Sequence, residues 1–221
     1  MARLLETMTL EDHKNTKERI LRTAMHLYAQ NGLNAVTLRQ ISIEAGCANT
    51  AAVHYHFGNR SGLLLAIVAF LDDTIWTPGY QLLQQTVAGD ASLRSIIKAG
   101  LKPYKEAVFD FPWGGDAQAF LFHLGESGDE QALAAFDKTR HRHETLFKRS
   151  VRAALPELTK SVFEQRWQFM MTEAIAGQWV RKRVMQSGTE ASREWTPTLE
   201  RNYLNRYLDY TVGGLNAPVT R

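Results

Sequence analysis

The sequence contains little cysteine, little proline and no long apolar run. Its single cysteine, Cys47, excludes an intramolecular disulfide and any metal site built from several cysteines. Charged residues interrupt the first thirty positions, so we expect no signal peptide. We also expect no membrane helix, because no apolar stretch approaches the roughly 20 residues that one needs. These absences predict a soluble, cytoplasmic protein of a reducing compartment.

The charge balance excludes little. The 221 residues include 26 Lys and Arg against 23 Asp and Glu, which leaves a net charge of +3. This total neither requires nor excludes a nucleic-acid partner, because binding depends on where the charges lie. The hydrophobic fraction of 44% is typical of a folded protein, and the length predicts one or two domains.

Apolar positions recur at helical spacing along the chain, and no segment alternates with period two for long enough to predict a strand. With only 6 prolines in the sequence, we expect an all-α fold. Residues 1–14 are interpreted as a loose, charged lead-in, and a first helix ends at Asn31 and Gly32. Pro78 and Gly79 are expected to end the fourth helix. The later helices are expected at about 37–45, 49–56, 60–76, 80–87, 92–109, 115–126, 129–154, 160–186 and 196–213.

Three short helices at the front predict a helix-turn-helix. Thr37 and Gln40 fit a capping box at the start of the second helix, and Gly46 fits the left-handed turn that ends it. Asn49 is expected to cap the third helix, with Val53 and Phe57 facing inward. The alternative is a helical hairpin within an ordinary bundle.

The outward face of the third helix favours DNA binding. It offers Thr50, Ala51, His54 and Tyr55 in place of the Glu and Lys mixture usual on a solvated helix. Small and hydroxyl side chains can approach base edges and phosphates closely. Arg39 and Arg60 bracket this helix and supply its positive charge.

The same segment resembles the N-terminal domain of TetR/AcrR-family repressors. The resemblance covers about residues 15–62 and rests on Thr37-Leu38-Arg39-Gln40-Ile41, on Glu44-Ala45-Gly46, and on the run from Ala51 to Arg60 that contains Tyr55-His56-Phe57-Gly58. It implies an N-terminal three-helix helix-turn-helix domain at 15–62, followed by a helical-bundle domain for effector binding and dimerisation at 63–221. The DNA contacts that it implies are Thr37, Arg39, Ala48, Asn49, Thr50, Ala51, His54, Tyr55, His56 and Arg60.

Two positions depart from the family pattern. The turn from Gly46 to Asn49 is one residue longer than usual, which leaves open which of Ala48, Asn49 and Thr50 touches a base. His54 replaces a frequent Asn or Tyr, and it either reads a base or contacts a phosphate or solvent. Cys47 is interpreted as a small turn residue, with a redox switch as the alternative.

Aromatic side chains gather in the middle of the larger remainder. They form either an ordinary core or an apolar pocket with a few polar groups, and the family resemblance implies an effector-binding site there. The candidate ligand-binding residues are Trp76, Tyr80, Tyr104, Phe109, Trp113, Phe120 and His123.

The last two helices carry broad apolar stripes with large Trp, Tyr and Met side chains. They resemble the closing helix pair through which these repressors dimerise, and intramolecular packing is the alternative. The candidate interface residues are Trp167, Met170, Met171, Ala174, Trp179, Tyr203, Tyr207 and Thr211.

No catalytic motif is present, and His141 and His143 are spaced poorly for a shared metal ion, so we expect no enzyme, metal or cofactor. The sequence predicts a homodimeric repressor that binds a pseudo-palindromic DNA operator and is released by a small-molecule effector. A helical small-molecule-binding protein without a DNA role, or an activator of the same family, remains the alternative.

Overall fold

The computed structural model describes residues 2–47, 49, 51–105, 110–186 and 197–219, with side chains described from residue 16 onward except at 178–186 and 197–200. Within these ranges the chain forms helices and no strand, which confirms the all-α fold. The α-helices are α1 (Ala2–Asn31), α2 (Leu38–Glu44), α3 (Ala52–Phe57), α4 (Arg60–Leu71), α5 (Thr77–Val87), α6 (Leu93–Lys105), α7 (Gly114–Glu126), α8 (Glu130–Ala153), α9 (Lys160–Gln186) and α10 (Pro197–Asn216).

The first helix corrects the expectation of a loose lead-in at residues 1–14. Helix α1 begins at Ala2 and continues to Asn31, where Gly32 ends it with a φ of 77°. Leu, Met and Glu are good helix formers, and the segment contains neither proline nor glycine before Gly32. Its charges therefore occupy a helix, because charge alone does not stop one.

The expectation that Pro78 and Gly79 end the fourth helix is also wrong. A five-residue π-helical turn, Asp72–Trp76, joins α4 to α5, so Pro78 lies in the first turn of α5. A missing N–H is tolerated at that position. Gly79 serves close packing instead, since a Cβ there would lie 2.4 Å from Pro103 Cγ on α6.

This continuity lengthens the apolar run that the sequence analysis judged too short. In the part of the chain that the structure describes, the helical stretch Arg60–Val87 is long and apolar enough, by length and composition alone, to be a candidate membrane span. About 44% of its most apolar window is buried inside the protein. A core helix passes the same test, so this single stretch is weak evidence for a membrane span.

The chain divides into two compact units. Unit one comprises Met1–Asp72 and Pro112–Asp137, and unit two comprises Asp73–Phe111 and Lys138–Arg221. The predicted boundary between residues 62 and 63 marks the end of the helix-turn-helix motif and stays a prediction. The units are defined by packing, and α7 belongs to unit one because it packs along α1.

Unit one is built around the apolar face of α1. Ile20, Ala24 and Tyr28 are fully buried there, as the spacing predicts. Phe120 of α7 packs against Tyr28 with ring centroids 6.1 Å apart. A polar contact between His26 Nδ1 and Asp116 Oδ2, 2.9 Å apart, joins the same two helices at the surface. Helix α1 is therefore held by α7, whose Asp116 lies 90 positions after His26 in the sequence.

Unit two packs α5, α6, α9 and α10 into one core to which α8 contributes. At Gly100 the backbone of α6 approaches the Phe147 ring so closely that a Cβ would lie 2.1 Å from it. Lys105 is 2% exposed, and its Nζ lies 2.9 Å from a carboxylate oxygen of Glu173. The same ammonium lies 4.4 Å from the centroid of the Tyr207 ring, so the buried charge is compensated twice.

Candidate nucleic-acid interface and ligand site

Helix α2 begins with the predicted capping box. Thr37 Oγ1 accepts from the Gln40 N–H, and the Gln40 side chain accepts from the Thr37 N–H at 2.9 Å. The Thr37 hydroxyl also donates to Gln40 Oε1 at 2.9 Å. Its oxygen can still accept, but its proton is already engaged within the cap.

The turn between α2 and α3 is fixed by its backbone. Gly46 has a φ of 63°, the left-handed conformation that the sequence predicts, and Arg19 Nε donates to the Ala45 carbonyl at 2.7 Å. This second contact ties the end of α2 to α1. Of the candidate DNA contacts, Ala48 and Thr50 lie outside the described residues.

Asn49 organises this turn, but it is not the cap of α3. Its Oδ1 accepts from the Ala51 N–H, two positions further on, at 2.8 Å, which is the hydrogen bond of an Asx-turn. Helix α3 begins at Ala52, and its N-cap is Ala51, which makes no side-chain cap. The Asn49 side chain thus provides a hydrogen-bond acceptor for the Ala51 N–H, just before α3 begins.

The two faces of α3 differ as the spacing predicts. Val53 is fully buried and Phe57 is 9% exposed, whereas Ala51, His54 and Tyr55 lie on the exposed side. Tyr55 is 78% exposed, which is unusual for a large aromatic side chain. The partly exposed His56 ring lies beside it at 5.1 Å. The exposed face therefore carries aromatic rings and a methyl group, and it has no net charge when the imidazoles are neutral.

His54 is held in one orientation by the end of its own helix. Its Nδ1 lies 2.8 Å from the Gly58 carbonyl oxygen, which can only accept, so Nδ1 carries the hydrogen. At neutral imidazole, Nε2 is then a hydrogen-bond acceptor on an exposed side chain.

The two arginines that bracket α3 are not equivalent. Arg39 is exposed, and its guanidinium has no partner among the described residues. Arg60 is half-buried and donates to Asn34 Oδ1 at 3.0 Å, which fixes its position. A guanidinium has five N–H donors, so this bond leaves Arg60 with donors to spare.

Helix α4 follows α3 through a tight connection. Asn59 caps it, with Oδ1 accepting from the Gly62 N–H at 2.8 Å. A Cβ at Gly62 would lie 2.1 Å from the Phe57 carbonyl oxygen, so only glycine fits there. The connection holds Arg60 at a set distance from the exposed face of α3.

The family comparison agrees with this geometry. Residues 20–67 match the family model described as "Bacterial regulatory proteins, tetR family". This segment is thus similar to the N-terminal DNA-binding domain of tetR-family transcription regulators. The matched segment contains the capping box, the Gly46 turn, α3 and the start of α4.

Solved structures show the same fold over most of the chain. AmtR of Mycobacterium smegmatis superposes with a TM-score of 0.64 at 15% identity, covering 92% of this chain and 87% of that one. A putative tetR family transcription regulator from Shewanella sp. PV-4 gives a TM-score of 0.54 at 19% identity, with coverages of 87% and 95%. No curated protein matches the chain significantly in sequence.

Three of the candidate ligand-binding residues that the structure describes lie in unit two. Trp76 meets Tyr104 edge to face with ring centroids 4.9 Å apart, and both are buried. The Arg142 guanidinium lies over the Tyr80 ring, 5.2 Å from the ring centroid. Phe109 lies outside the described residues.

His143 joins this aromatic group, although the sequence analysis considered it only as a metal ligand. It is fully buried, 5.9 Å from the Trp76 ring and 6.2 Å from the Tyr104 ring between centroids. Its Nε2–H donates to the Gly100 carbonyl at 2.8 Å. The spacing of His143, Phe147 and Val151 is four, which marks one buried helix face and could have placed His143 on it.

The remaining candidate ligand residues lie in unit one. Trp113 packs against Phe70 at 5.1 Å, and the fully buried Phe120 packs against Tyr28. His123 Nδ1 lies 3.8 Å from a carboxylate oxygen of Glu126. These contacts belong to the core and the surface of that unit.

The candidate dimer residues are mostly buried within unit two. Trp167, Met170, Met171, Ala174, Tyr207 and Thr211 are each 8% exposed or less. Contacts within the chain account for this burial, as in the intramolecular alternative: Trp167 meets Phe147 at 5.0 Å. Tyr203 is half-buried and its ring stacks on that of Tyr207 at 6.3 Å, while the Trp179 side chain lies outside the described residues.

Other apolar side chains of α9 and α10 remain exposed. Phe169 is 65% exposed, Ile175 43% and Tyr210 75%. Phe169 and Tyr210 also line a groove between the two helices. The residues selected from the sequence stripe thus lie mostly on the inward side of these two helices, and other apolar side chains of the same helices are exposed.

Within the part of the chain that the structure describes, no group of three or more His, Cys, Asp or Glu side chains could hold a metal ion. The basic residues of α8 are largely engaged in unit two. Arg142 donates to Thr77, and Lys148 pairs with Glu164 at 2.5 Å. Helix α8 therefore offers fewer unengaged basic side chains to a negatively charged partner than its sequence indicates.

Proposed function

We propose that this chain is a TetR-family regulator, a homodimeric repressor that binds a pseudo-palindromic operator and is released by a small-molecule effector. The observation that carries the proposal is the exposed face of α3, which is uncharged and flanked by Arg39, whose guanidinium has no partner within the described part of the chain. A short helix presented in this way fits a major groove, where its first residues meet base edges. We keep the candidate DNA contacts as contacts to bases and phosphates. The hydrogen bond from Arg60 to Asn34 fixes the position of the Arg60 guanidinium.

A second copy would supply the affinity that one short helix lacks. Two reading helices about one DNA turn apart match two half-sites of an operator. The exposed Phe169, Ile175 and Tyr210 provide an apolar surface on α9 and α10 for such a two-fold contact. The buried residues of the predicted interface would then pack beneath this surface and hold its side chains in place.

Release would follow from population shift. An effector that binds unit two better in one dimer arrangement favours the head spacing of that arrangement. If that spacing no longer matches two successive major grooves, the operator is vacated. We place the regulator in the cytoplasm, without a catalytic role of its own.

Gel retardation of the DNA that flanks its own gene tests DNA binding directly. We expect a specific complex that weakens steeply with salt, because phosphate contacts dominate affinity. Tyr55→Ala and Arg60→Glu should each weaken it. If both variants keep the wild-type affinity, or if no flanking fragment is retarded at low salt, the repressor proposal fails and a ligand-binding protein without a DNA role is favoured.

Sedimentation analysis tests the dimer. Phe169→Asp should convert the dimer to a monomer, because a carboxylate would be buried in the apolar contact. Leu82→Asp is the matched control, since Leu82 is an exposed apolar residue on α5. A monomeric wild type, or a dimeric Phe169→Asp variant, would exclude this surface as the interface.

A further inference from the structure

The Tyr104 hydroxyl and His143 Nδ1 are among the buried polar atoms of unit two that have no hydrogen-bond partner among the described residues. Buried polar groups are almost always satisfied, because an unpaired one loses its hydrogen bonds to water without replacement. Two such atoms on rings whose centroids lie 6.2 Å apart therefore point to a polar group that belongs between them.

The hydrogen-bond directions of both atoms are fixed. His143 uses its Nε2–H to donate to Gly100, so Nδ1 can only accept. The Tyr104 hydroxyl can donate and also accept. A complementary group must therefore offer an O–H or N–H to His143 and an oxygen to Tyr104.

Both side chains are neutral near pH 7. Burial lowers the pKa of His143 below its ordinary value, and burial raises the pKa of Tyr104 above its own. An ionised ligand would meet no opposing charge from either group, and burying an uncompensated charge is costly.

The surroundings are aromatic. The Trp76 ring lies edge to face with Tyr104, and Phe147 lies 6.2 Å from His143 between centroids. Such walls favour a flat apolar body, which gains from edge and face contacts with the rings.

From this cluster we propose that Trp76, Tyr104 and His143 form a binding site for an uncharged aromatic ligand that carries a hydroxyl or a carboxamide. One ligand oxygen accepts from the Tyr104 hydroxyl, and one ligand O–H or N–H donates to His143 Nδ1. This inference rests on the proposed effector-released function and names the chemistry of the effector.

Isothermal titration of the full-length protein tests the site with four probes of similar size. Phenol and benzamide carry the required donor and acceptor, toluene carries neither, and benzoate is charged. We expect phenol and benzamide to bind saturably with a Kd of about 1 mM or lower, which is within the affinity that so few atoms can reach. Toluene should bind at least about tenfold more weakly, and benzoate should not bind.

Tyr104→Phe removes only the hydroxyl. It should weaken phenol by about tenfold, the value of one hydrogen bond to a buried group, and leave toluene unchanged. Tyr28→Phe is the matched control, because Tyr28 is an equally buried phenol in unit one, and it should bind phenol like the wild type. Equal binding of phenol and toluene, an unchanged Tyr104→Phe variant, or no saturable binding of either polar probe would overturn the site.

The same titration separates this inference from the proposed function. If phenol binds through Tyr104 but does not release the flanking DNA fragment in the gel, the site stands and effector release fails. If other molecules release the DNA equally from wild type and from Tyr104→Phe, the repressor proposal stands and this site is overturned.

Discussion

His54 and Gly58 close a ring of two hydrogen bonds at the end of α3. The Gly58 N–H donates to the His54 carbonyl at 2.9 Å, and His54 Nδ1 donates to the Gly58 carbonyl at 2.8 Å. Gly58 can do this because it adopts a φ of 74°, which is strained for other residues. The imidazole is thereby held rigidly, with Nε2 as its remaining polar atom.

This arrangement predicts that His54 determines sequence preference. With Nε2 as an acceptor, it should favour a base that presents an amino donor in the major groove, adenine or cytosine. Selection from a randomised duplex pool should show that preference at one position of each half-site, and His54→Ala should lose it. Loss of one good base contact is worth about 1–3 kcal/mol of discrimination.

The control for this selection is binding to unselected duplex at low salt, which His54→Ala should leave unchanged because that binding rests on phosphates. An identical consensus for the wild type and the variant would assign His54 to a phosphate or to solvent instead.

Arg39 should act through a phosphate. Because its guanidinium is exposed and unpaired in the described structure, Arg39→Ala should weaken binding about equally for all sequences and reduce the salt slope of log K by about 1. Arg149→Ala makes the same charge change at an exposed position of α8 and should leave the slope unchanged. Fluorescence anisotropy over a salt series measures both, and equal slopes for the two variants would contradict the assignment.

Much of the front of the molecule could be predicted because its signals are local. The capping box joins Thr37 and Gln40, which are only three positions apart, and the inward pair Val53 and Phe57 follows from helical spacing. Asn49 was harder to place, because its side chain can cap either a helix or a turn and only the backbone path decides between them.

Long-range contacts could not be predicted in this way. His143 bonds to a carbonyl 43 positions away, and nothing near it in the sequence names Gly100 as its partner. Likewise, an apolar stripe such as that of Trp167 and Met170 predicts burial without saying whether the same chain or a second copy covers it. The side chains left exposed, such as Phe169, became visible only once the intramolecular partners were known.

The burial of His143 predicts a pH-dependent stability. Its pKa in the folded state is lowered from 6.5, chiefly by burial. As the pH falls below about 6.5, the unfolded chain binds a proton that the folded protein excludes, so the free energy of unfolding falls by up to about 1.4 kcal/mol per pH unit. Above that pH, this contribution is fully present.

Urea denaturation at pH 7.5 and 5.5 measures this loss. His143→Gln should reduce the pH dependence, because the side chain that must take up the proton is absent. His141→Gln, two positions away and exposed, should keep the wild-type dependence. An equal pH dependence in all three proteins would show that His143 is not the group responsible.

The close approach at Gly100 predicts that a single methyl group disturbs the core of unit two. In Gly100→Ala the new Cβ would lie 2.1 Å from the Phe147 ring, so the ring or the helix must move. Overpacking of this kind costs about 1–3 kcal/mol, which outweighs the gain of roughly 0.5–1 kcal/mol from replacing glycine in a helix. Gly125→Ala on α7 has open space around its Cβ and should show only that gain. Thermal unfolding compares the two, and a Gly100→Ala variant as stable as Gly125→Ala would mean that α6 and α8 pack less tightly than the structure places them.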